Sequence, residues 1–345
     1  MTPTLRCFAC AVALYAVCGA VPAADREPQL SPKIEPAIDR GLQFLASSQQ
    51  PSGSLHGRPE SALAITSLGV MAFLSAGHVP DDGRHGMTVR SSLQYVISAL
   101  PEDGYVGRVD GSRMYGQGIV TLVLAETYGA ERDPVRRAAI RRWLPKSVKV
   151  ILDAQRVRKD AGSAGGWRYE PASGDSDLSL SAWNALALRA CNNIGVSVPR
   201  ESIQAAVQYT LRCYRADSRT FGYQPGTERG VPAMTGVGVL VLCLLDAAER
   251  EQVALAADTL AGEKPWDARF PYYGQYYLTS AAFHAGRKSW PAVWATVSER
   301  LLATQQEDGG WPQSATNEEP GRTYATAMSV LTLSTPLRLA PTSQR

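Results

Sequence analysis

Two kinds of helical pattern take turns along this chain. In the first, apolar residues recur on one face only. In "WPAVWATVSERLLATQQ" (290–306), Val293, Val297, Leu301 and Leu302 fall together while Ser298, Glu299 and Arg300 face elsewhere, the spacing of a helix half in water. "AIDRGLQFLASSQQ" (37–50) repeats it. In the second kind the apolar residues run nearly all the way round: "SALAITSLGVMAFLSAG", "GIVTLVLAETYG", "LSLSAWNALALRACNNIG" and "TGVGVLVLCLLDAAE". Such a helix has to be buried on most of its sides. Gly77, Gly129, Gly195 and Gly286 close four of these helices, where a residue with positive φ is wanted. Strand signals are absent, so the pattern predicts an all-α protein.

Between each amphipathic stretch and the apolar helix after it lies a turn of glycine and aromatic residues: "GGWRY", "FGYQP" and "DGGW", with weaker versions in "DGYVG", "FPYYG" and "SGSLHG". Marked at Gly53, Gly104, Gly166, Gly222, Phe270 and Gly310, they make six copies of a unit of about fifty residues. Each unit is a solvent-facing helix, a turn and a buried helix. Six such hairpins either stack as an open solenoid or close into a ring. An open array would leave a polar stripe along every second helix, and here there is barely one. The expected architecture is therefore an (α/α)6 double ring with the apolar helices inside, one domain over residues 30–336, followed by a short tail at 337–345.

The last turn is the most specific. "QQEDGGW" matches the Gln-x(2–5)-Gly-x-Trp (QW) signature of squalene and oxidosqualene cyclases, with Gln305, Gly309 and Trp311 in place. "GGWRYEPASGDSDLSLSAWNALALRA", which contains Trp167, resembles the repeat shared by those cyclases and by protein prenyltransferase β subunits. The resemblance covers nearly all of the chain after its N-terminus and implies their α/α toroid. It also implies a structural part for the glutamines and tryptophans, as staples between neighbouring hairpins. Physically, an indole buries a large apolar area and still has an N–H to satisfy, and a glycine lets the chain turn sharply beside it.

The N-terminus changes the picture of where the protein works. Arg6 precedes an apolar run from Cys7 to Val21 that ends in small residues, too short for the roughly 20 residues of a membrane-spanning helix. Residues 1–23 read as a cleaved secretory signal, which makes the chain exported, periplasmic or extracellular. No later stretch would anchor it. The remainder is close to neutral, which argues against nucleic acid as a partner. Cys191, Cys213 and Cys243 remain after cleavage; each lies in an apolar helical stretch and reads as a buried thiol, with a Cys213–Cys243 disulfide as the alternative.

In a closed ring of this kind the inner helices all start at one end, around the mouth of a central cavity, which favours a ligand there. The residues to inspect are then Glu60, Tyr115, Asp175 with Asp177, Thr235, Tyr272 with Tyr273, and Tyr324, with Arg113 and Gln117 close by. "GDSDLS" (174–179) is similar to the Asp-x-Asp-Asp of class II terpene cyclases, whose middle Asp protonates an alkene; Asp175 and Asp177 match the first two positions and Leu178 replaces the third acid. The resemblance thus nominates Asp177 and Asp175 as catalytic acids, while either is equally suited to cap the helix that follows. "RFPYYGQYYLTSAAF" places Tyr273 and Tyr276 or Tyr277 one turn apart, able to stack on a sugar ring or face a carbocation, or simply to fill the wide end of a tapering core.

Other chemistries lack their residues. The prenyltransferase zinc set of Asp, Cys and His is missing, no metal or cofactor is expected, and there is no phosphate loop and no Ser-His-Asp arrangement. "RDPVRRAAIRRWLPK" (132–146) is basic, with its arginines spread around an outer helix, a solvated face with some capacity for an anionic lipid or polymer. The functional expectation is an exported toroid holding a small-molecule or polymer ligand in its central cavity, isoprenoid-like by the resemblance. The alternatives are a carbohydrate-active hydrolase or lyase and a non-catalytic envelope scaffold.

Overall fold

The computed structural model describes residues 31–55, 59–227, 230–262, 269–286, 288–316 and 319–337. The signal expected at 1–23, the end of the tail from 338 and His56 lie outside the described residues. Among those described, six outer helices, α1 (Ile34–Ser47), α3 (Gly86–Ser98), α5 (Pro134–Arg156), α7 (Arg200–Arg212), α9 (Glu251–Leu260) and α11 (Ser289–Thr304), alternate with six inner ones, α2 (Ala62–Ser75), α4 (Met114–Tyr128), α6 (Leu178–Asn193), α8 (Pro232–Leu244), α10 (Pro271–Ala285) and α12 (Gly321–Ser334).

The inner helices pack each against the next, and α12 packs on α2, so the ring closes; α1 lies against α12 and joins the two ends of the chain. Burial follows the sequence pattern. All fourteen residues of α2 are buried, whereas α1 buries Ile34, Ala37, Ile38, Gly41, Leu42 and Leu45 at helical spacing and leaves its other face wet. The inner helices are apolar all round because each has two ring neighbours, an outer helix and the lumen to satisfy.

The lumen itself is largely filled. Trp183 stacks on Tyr276, with ring planes 3° apart, and meets Tyr277 edge-on. Below them Met71, Leu122, Leu186, Leu240, Leu244 and Leu331 converge from α2, α4, α6, α8 and α12 and leave a void of about 20 Å³. The ring is a cup, closed where the inner helices end.

Three of the turns that join an outer helix to the inner helix after it share one geometry. Gln305 donates through Nε2 to the carbonyls of Ala37 and Gly309, both at 2.8 Å, the Trp311 indole N–H donates to Leu301 O at 2.9 Å, and Trp311 N donates to Thr326 Oγ1 at 3.0 Å. Gln155, Trp167 and Ser181 repeat every part of this, with Gly165 O, Ser202 O and Ile151 O as acceptors. Gln49, Leu55 and Thr66 repeat it without the indole. The side-chain amide thus ties the end of one outer helix to the next outer helix, and the inner-helix hydroxyl fixes the turn. At the two tryptophan turns the left-handed glycines are Gly309 and Gly165, one residue before the positions marked in the sequence, whereas Gly53 and Gly104 are left-handed at the marks themselves. A Cβ on Gly309 would stand 2.4 Å from Arg40 O, and one on Gly165 2.4 Å from Ala205 O, so the turn sits directly on the neighbouring helix.

Two sequence expectations need adjusting. Gly77, Gly195 and Gly286 have positive φ, but α4 ends at Gly129 in the right-handed region, φ −69°. A short antiparallel ladder joins β1 (Tyr214–Arg215) to β2 (Thr220–Phe221) between α7 and α8, too small to alter the all-α class. Cys191, Cys213 and Cys243 form no disulfide; burial pushes the Cys191 and Cys213 thiols up to about 12.

Candidate functional site

The open end of the cup is where the six inner helices begin. A helix start carries unbonded N–H groups and a partial positive charge, and three alternate inner helices meet that need with a buried carboxylate. Asp110, on the loop leading to α4, accepts from Leu63 N at 2.8 Å and Ala64 N at 3.2 Å and so caps α2. Glu319, just before α12, accepts from Tyr272 N and Tyr273 N and caps α10. Asp177 caps its own helix, α6, taking Leu180 N at 2.9 Å. All three are almost fully buried.

Asp177 has the densest surroundings. Its Oδ1 also accepts from Ser179 Oγ at 2.7 Å, and its Oδ2 accepts from Arg168 Nη1 at 2.6 Å and Tyr223 Oη at 2.9 Å. Two donors on each oxygen use the acceptor capacity of a carboxylate. Arg168 reaches back with Nε to the half-exposed Asp175 at 3.2 Å and lies over the rings of Tyr169 and Tyr223.

Beside this carboxylate a cavity of about 380 Å³ opens to solvent. Tyr115 of α4, Tyr169 and Tyr223 from two turns, and Phe270 with Tyr273 at the start of α10 give it aromatic walls. Val231, Ala233 and Met234 at the start of α8 make an apolar side, with Ser179 and Arg269 as further polar contacts. The volume lies within the range of small-ligand sites.

Hydroxyl directions follow from the network. Because Ser179 gives its proton to Asp177, the 2.6 Å contact between Tyr115 Oη and Ser179 Oγ has Tyr115 as donor. Tyr223 likewise gives its proton to Asp177. Tyr223 Oη also accepts from Arg168 Nη1 at 3.1 Å and, its own proton being given to Asp177, from Tyr169 Oη at 3.4 Å, so it is Tyr115 and Tyr169 that point their protons inward and leave lone pairs for the cavity. Opposite them, the buried hydroxyl of Tyr273 makes no well-formed hydrogen bond among the described residues, nor does that of Tyr277, whose ring centroid is 4.6 Å from that of Tyr273. Burial first, then the neighbouring phenols of Tyr277, Tyr115 and Tyr324 and the charge of Asp177, hold the Tyr273 phenol well above its ordinary range. With its oxygen buried, Tyr273 presents its ring rather than its hydroxyl to the cavity.

The structure brings together part of the sequence-predicted set. Tyr115 and Tyr273 line the cavity, Asp177 lies behind its wall, and Tyr324 is near enough to Tyr115 and Tyr273 to perturb the latter. Glu60 is exposed and outside the lining; its backbone carbonyl accepts from Gly111 N. Gln117 turns away into the wall, accepting from Val106 N and donating to Gly104 O and Ser147 Oγ. Tyr276 is deeper, in the plug. Thr235 accepts from Phe221 N, Tyr272 donates to Pro312 O, and Arg113 pairs with Glu170 at 2.8 Å.

Tyr169, Tyr223, Ser179 and Arg168 were not among the nominated site residues. Their signal was present: Tyr169 and Tyr223 are the second aromatic of "GGWRY" and "FGYQP", motifs read only as turns. Among the described residues no three His, Cys, Asp or Glu side chains are grouped to hold a metal.

No family model matches the chain, and no curated protein matches it in sequence. Solved structures do. The GH76A α-1,6-mannanase of Salegentibacter sp. HEL1_6, in a variant inactivated at two adjacent aspartates and complexed with α-1,6-mannotriose, is similar at TM-score 0.65 and 10% identity over 88% of this chain and 99% of that one. Type II terpene cyclase MstE from Scytonema is similar at TM-score 0.55 and 13% identity, over 89% and 98%. The polysaccharide lyase BACCELL_00875 is similar at TM-score 0.57 and 12% identity, over 89% and 98%. Identities this low carry the fold and nothing finer: the chain is an α/α toroid, built like glycan-processing enzymes and a terpene cyclase alike.

Proposed function

We propose that this chain is an exported ligand-binding toroid whose mouth cavity takes an uncharged ring bearing hydroxyl groups, as in a residue of a neutral glycan. The observation that carries the reading is the wall itself. Aromatic faces suited to a ring's apolar side stand next to lone pairs from Tyr115 and Tyr169, with Ser179 and Arg269 as further polar groups, which matches a polyol and is wasteful for a hydrocarbon.

Binding is favoured over catalysis on the same grounds. The described lining contains no carboxylate, histidine or cysteine, so it lacks the acid pair that glycoside hydrolysis needs. The mannanase named above is inactive without its two adjacent aspartates, and no such pair faces this cavity among the described residues. Asp177 has both its oxygens engaged by four donors and is not part of the lining. A second reading, an isoprenoid ligand, draws on the apolar side formed by Val231, Ala233 and Met234.

The test is calorimetric titration of residues 24–345 with neutral oligosaccharides, α-1,6-mannotriose among them, and with farnesol. Saccharide binding lost in Tyr273→Ala supports the proposal. Farnesol binding alone moves the case to the second reading, and binding of neither overturns both.

A further inference from the structure

We infer that the outer face of α5 is a docking surface for a linear acidic polysaccharide, separate from the mouth cavity. Arg137, Arg141, Arg142, Lys146, Lys149 and Arg156 are all exposed on this helix, and Asp153 is the one exposed acid among them. At helical rise, Arg137 to Arg156 spans about 28 Å. The chain as a whole is nearly neutral, so the charge is concentrated here rather than spread. Little of it is neutralised internally. Lys149 pairs with Asp153 at 2.5 Å, while Arg142 and Arg156 make no side-chain hydrogen bond or ion pair among the described residues. Arginines kept in this way attract carboxylate or sulfate groups and fork onto them.

The row also borders a groove. Between α5 and the loop after α6, Leu144, Pro145, Ile194 and Val196 form an apolar floor, with Arg141 and Tyr128 at its edge, enclosing about 460 Å³. Arg141 donates to Tyr128 Oη at 3.2 Å and Arg137 lies over the Tyr128 ring at 4.9 Å, so the edge is held in place. A sugar ring on the floor would set its acid group against Arg141, and the chain could continue along the helix.

Two other polyanions fit less well. A bilayer needs apolar side chains to enter it, and the one large exposed apolar residue on α5 is Val135, in its first turn. Single-stranded nucleic acid needs free aromatic faces on which to stack; Trp143 is buried, and Arg137 covers a face of Tyr128.

The experiment is binding of the mature chain to immobilised polygalacturonate and dextran sulfate at low and high salt. Uncharged dextran, phosphatidylglycerol vesicles and a single-stranded oligonucleotide run alongside. Wild-type protein is expected to bind the acidic polysaccharides, with affinity falling steeply with salt, and to ignore dextran. Arg137→Glu/Arg141→Glu/Arg142→Glu should lose about tenfold or more, as should Arg142→Glu/Arg156→Glu, which disturbs no internal contact. Equal binding by wild type and variants, absence of binding at low salt, or tighter binding to vesicles or oligonucleotide would each overturn the inference. Tyr273→Ala should leave this binding unchanged, which separates it from the cavity.

Discussion

Nη1 of Arg168 stands 2.6 Å from Oδ2 of Asp177, with the carboxylate fully buried and the guanidinium a quarter exposed. The contact ties the turn after Trp167 to the cap of α6, and it holds two tyrosines of the cavity wall around a single charge. A buried pair of this sort is worth little against an apolar substitute but is costly to break from one side.

Asp177→Asn should therefore destabilise the chain by roughly 3 kcal/mol, because an amide N–H₂ would face the donors of Arg168 or Tyr223. Urea unfolding measures it. A loss under about 1 kcal/mol would mean that water replaces the carboxylate easily.

Glycine substitutions should separate strain from contact. Gly195 has φ +83° and nothing within 4 Å of where an added methyl would stand, so Gly195→Ala should cost about 1 kcal/mol of backbone strain. Gly309→Ala meets the same strain, φ +88°, and also puts a methyl 2.4 Å from Arg40 O. It should cost at least twice as much and loosen the junction of α11 with α1. Equal melting temperatures for the two variants would contradict the close approach.

Tyr277→Phe should stabilise the ligand-free protein, by about 1 kcal/mol. The ring is fully buried and its hydroxyl makes no well-formed hydrogen bond among the described residues, the neighbouring Tyr273 phenol being its one candidate, so removing the oxygen removes a largely uncompensated desolvation. Tyr273→Phe should behave similarly without ligand and, its oxygen being buried, leave saccharide binding within about twofold of wild type. Thermal unfolding with and without saccharide measures both.

His85 should set part of the acid limb of stability. Its pKa is lowered below the ordinary 6.5, by burial first and then by His78 and Arg84, with Asp39 opposing. The imidazoles of His78 and His85 lie 4.8 Å apart, edge to face. The folded chain thus holds fewer protons here than the unfolded chain, so this stability is present above pH 6.5 and is lost as pH falls through the lowered value. His85→Phe should flatten the stability curve between about pH 7 and 5; an unchanged slope would assign it to other groups.

How much of this could be read in advance varies residue by residue. The inner helices were plain, since a stretch such as Ala62–Ser75 with no polar face has nowhere to lie but inside. Gln305 and Trp311 were equally visible. The capping acids Asp110 and Glu319 were not, because each serves backbone N–H groups 47 residues away along the chain. Gln117 sat at the right place in sequence for a cavity residue, but its amide is drawn into the wall by the backbone of Val106 and Gly104.

The sequence alone determined the helix periodicity, the six repeats and the ring, because local spacing of apolar residues decides which faces must be hidden and six hidden helices close most economically on themselves. The tertiary structure alone decided what the mouth presents. Whether Asp177 faces the cavity or is engaged by four donors, and whether Tyr169 and Tyr223 are turn residues or cavity walls, depends on groups brought together from different hairpins. A hydrogen bond across the ring is a property of distance, and no pattern along one stretch of sequence encodes it.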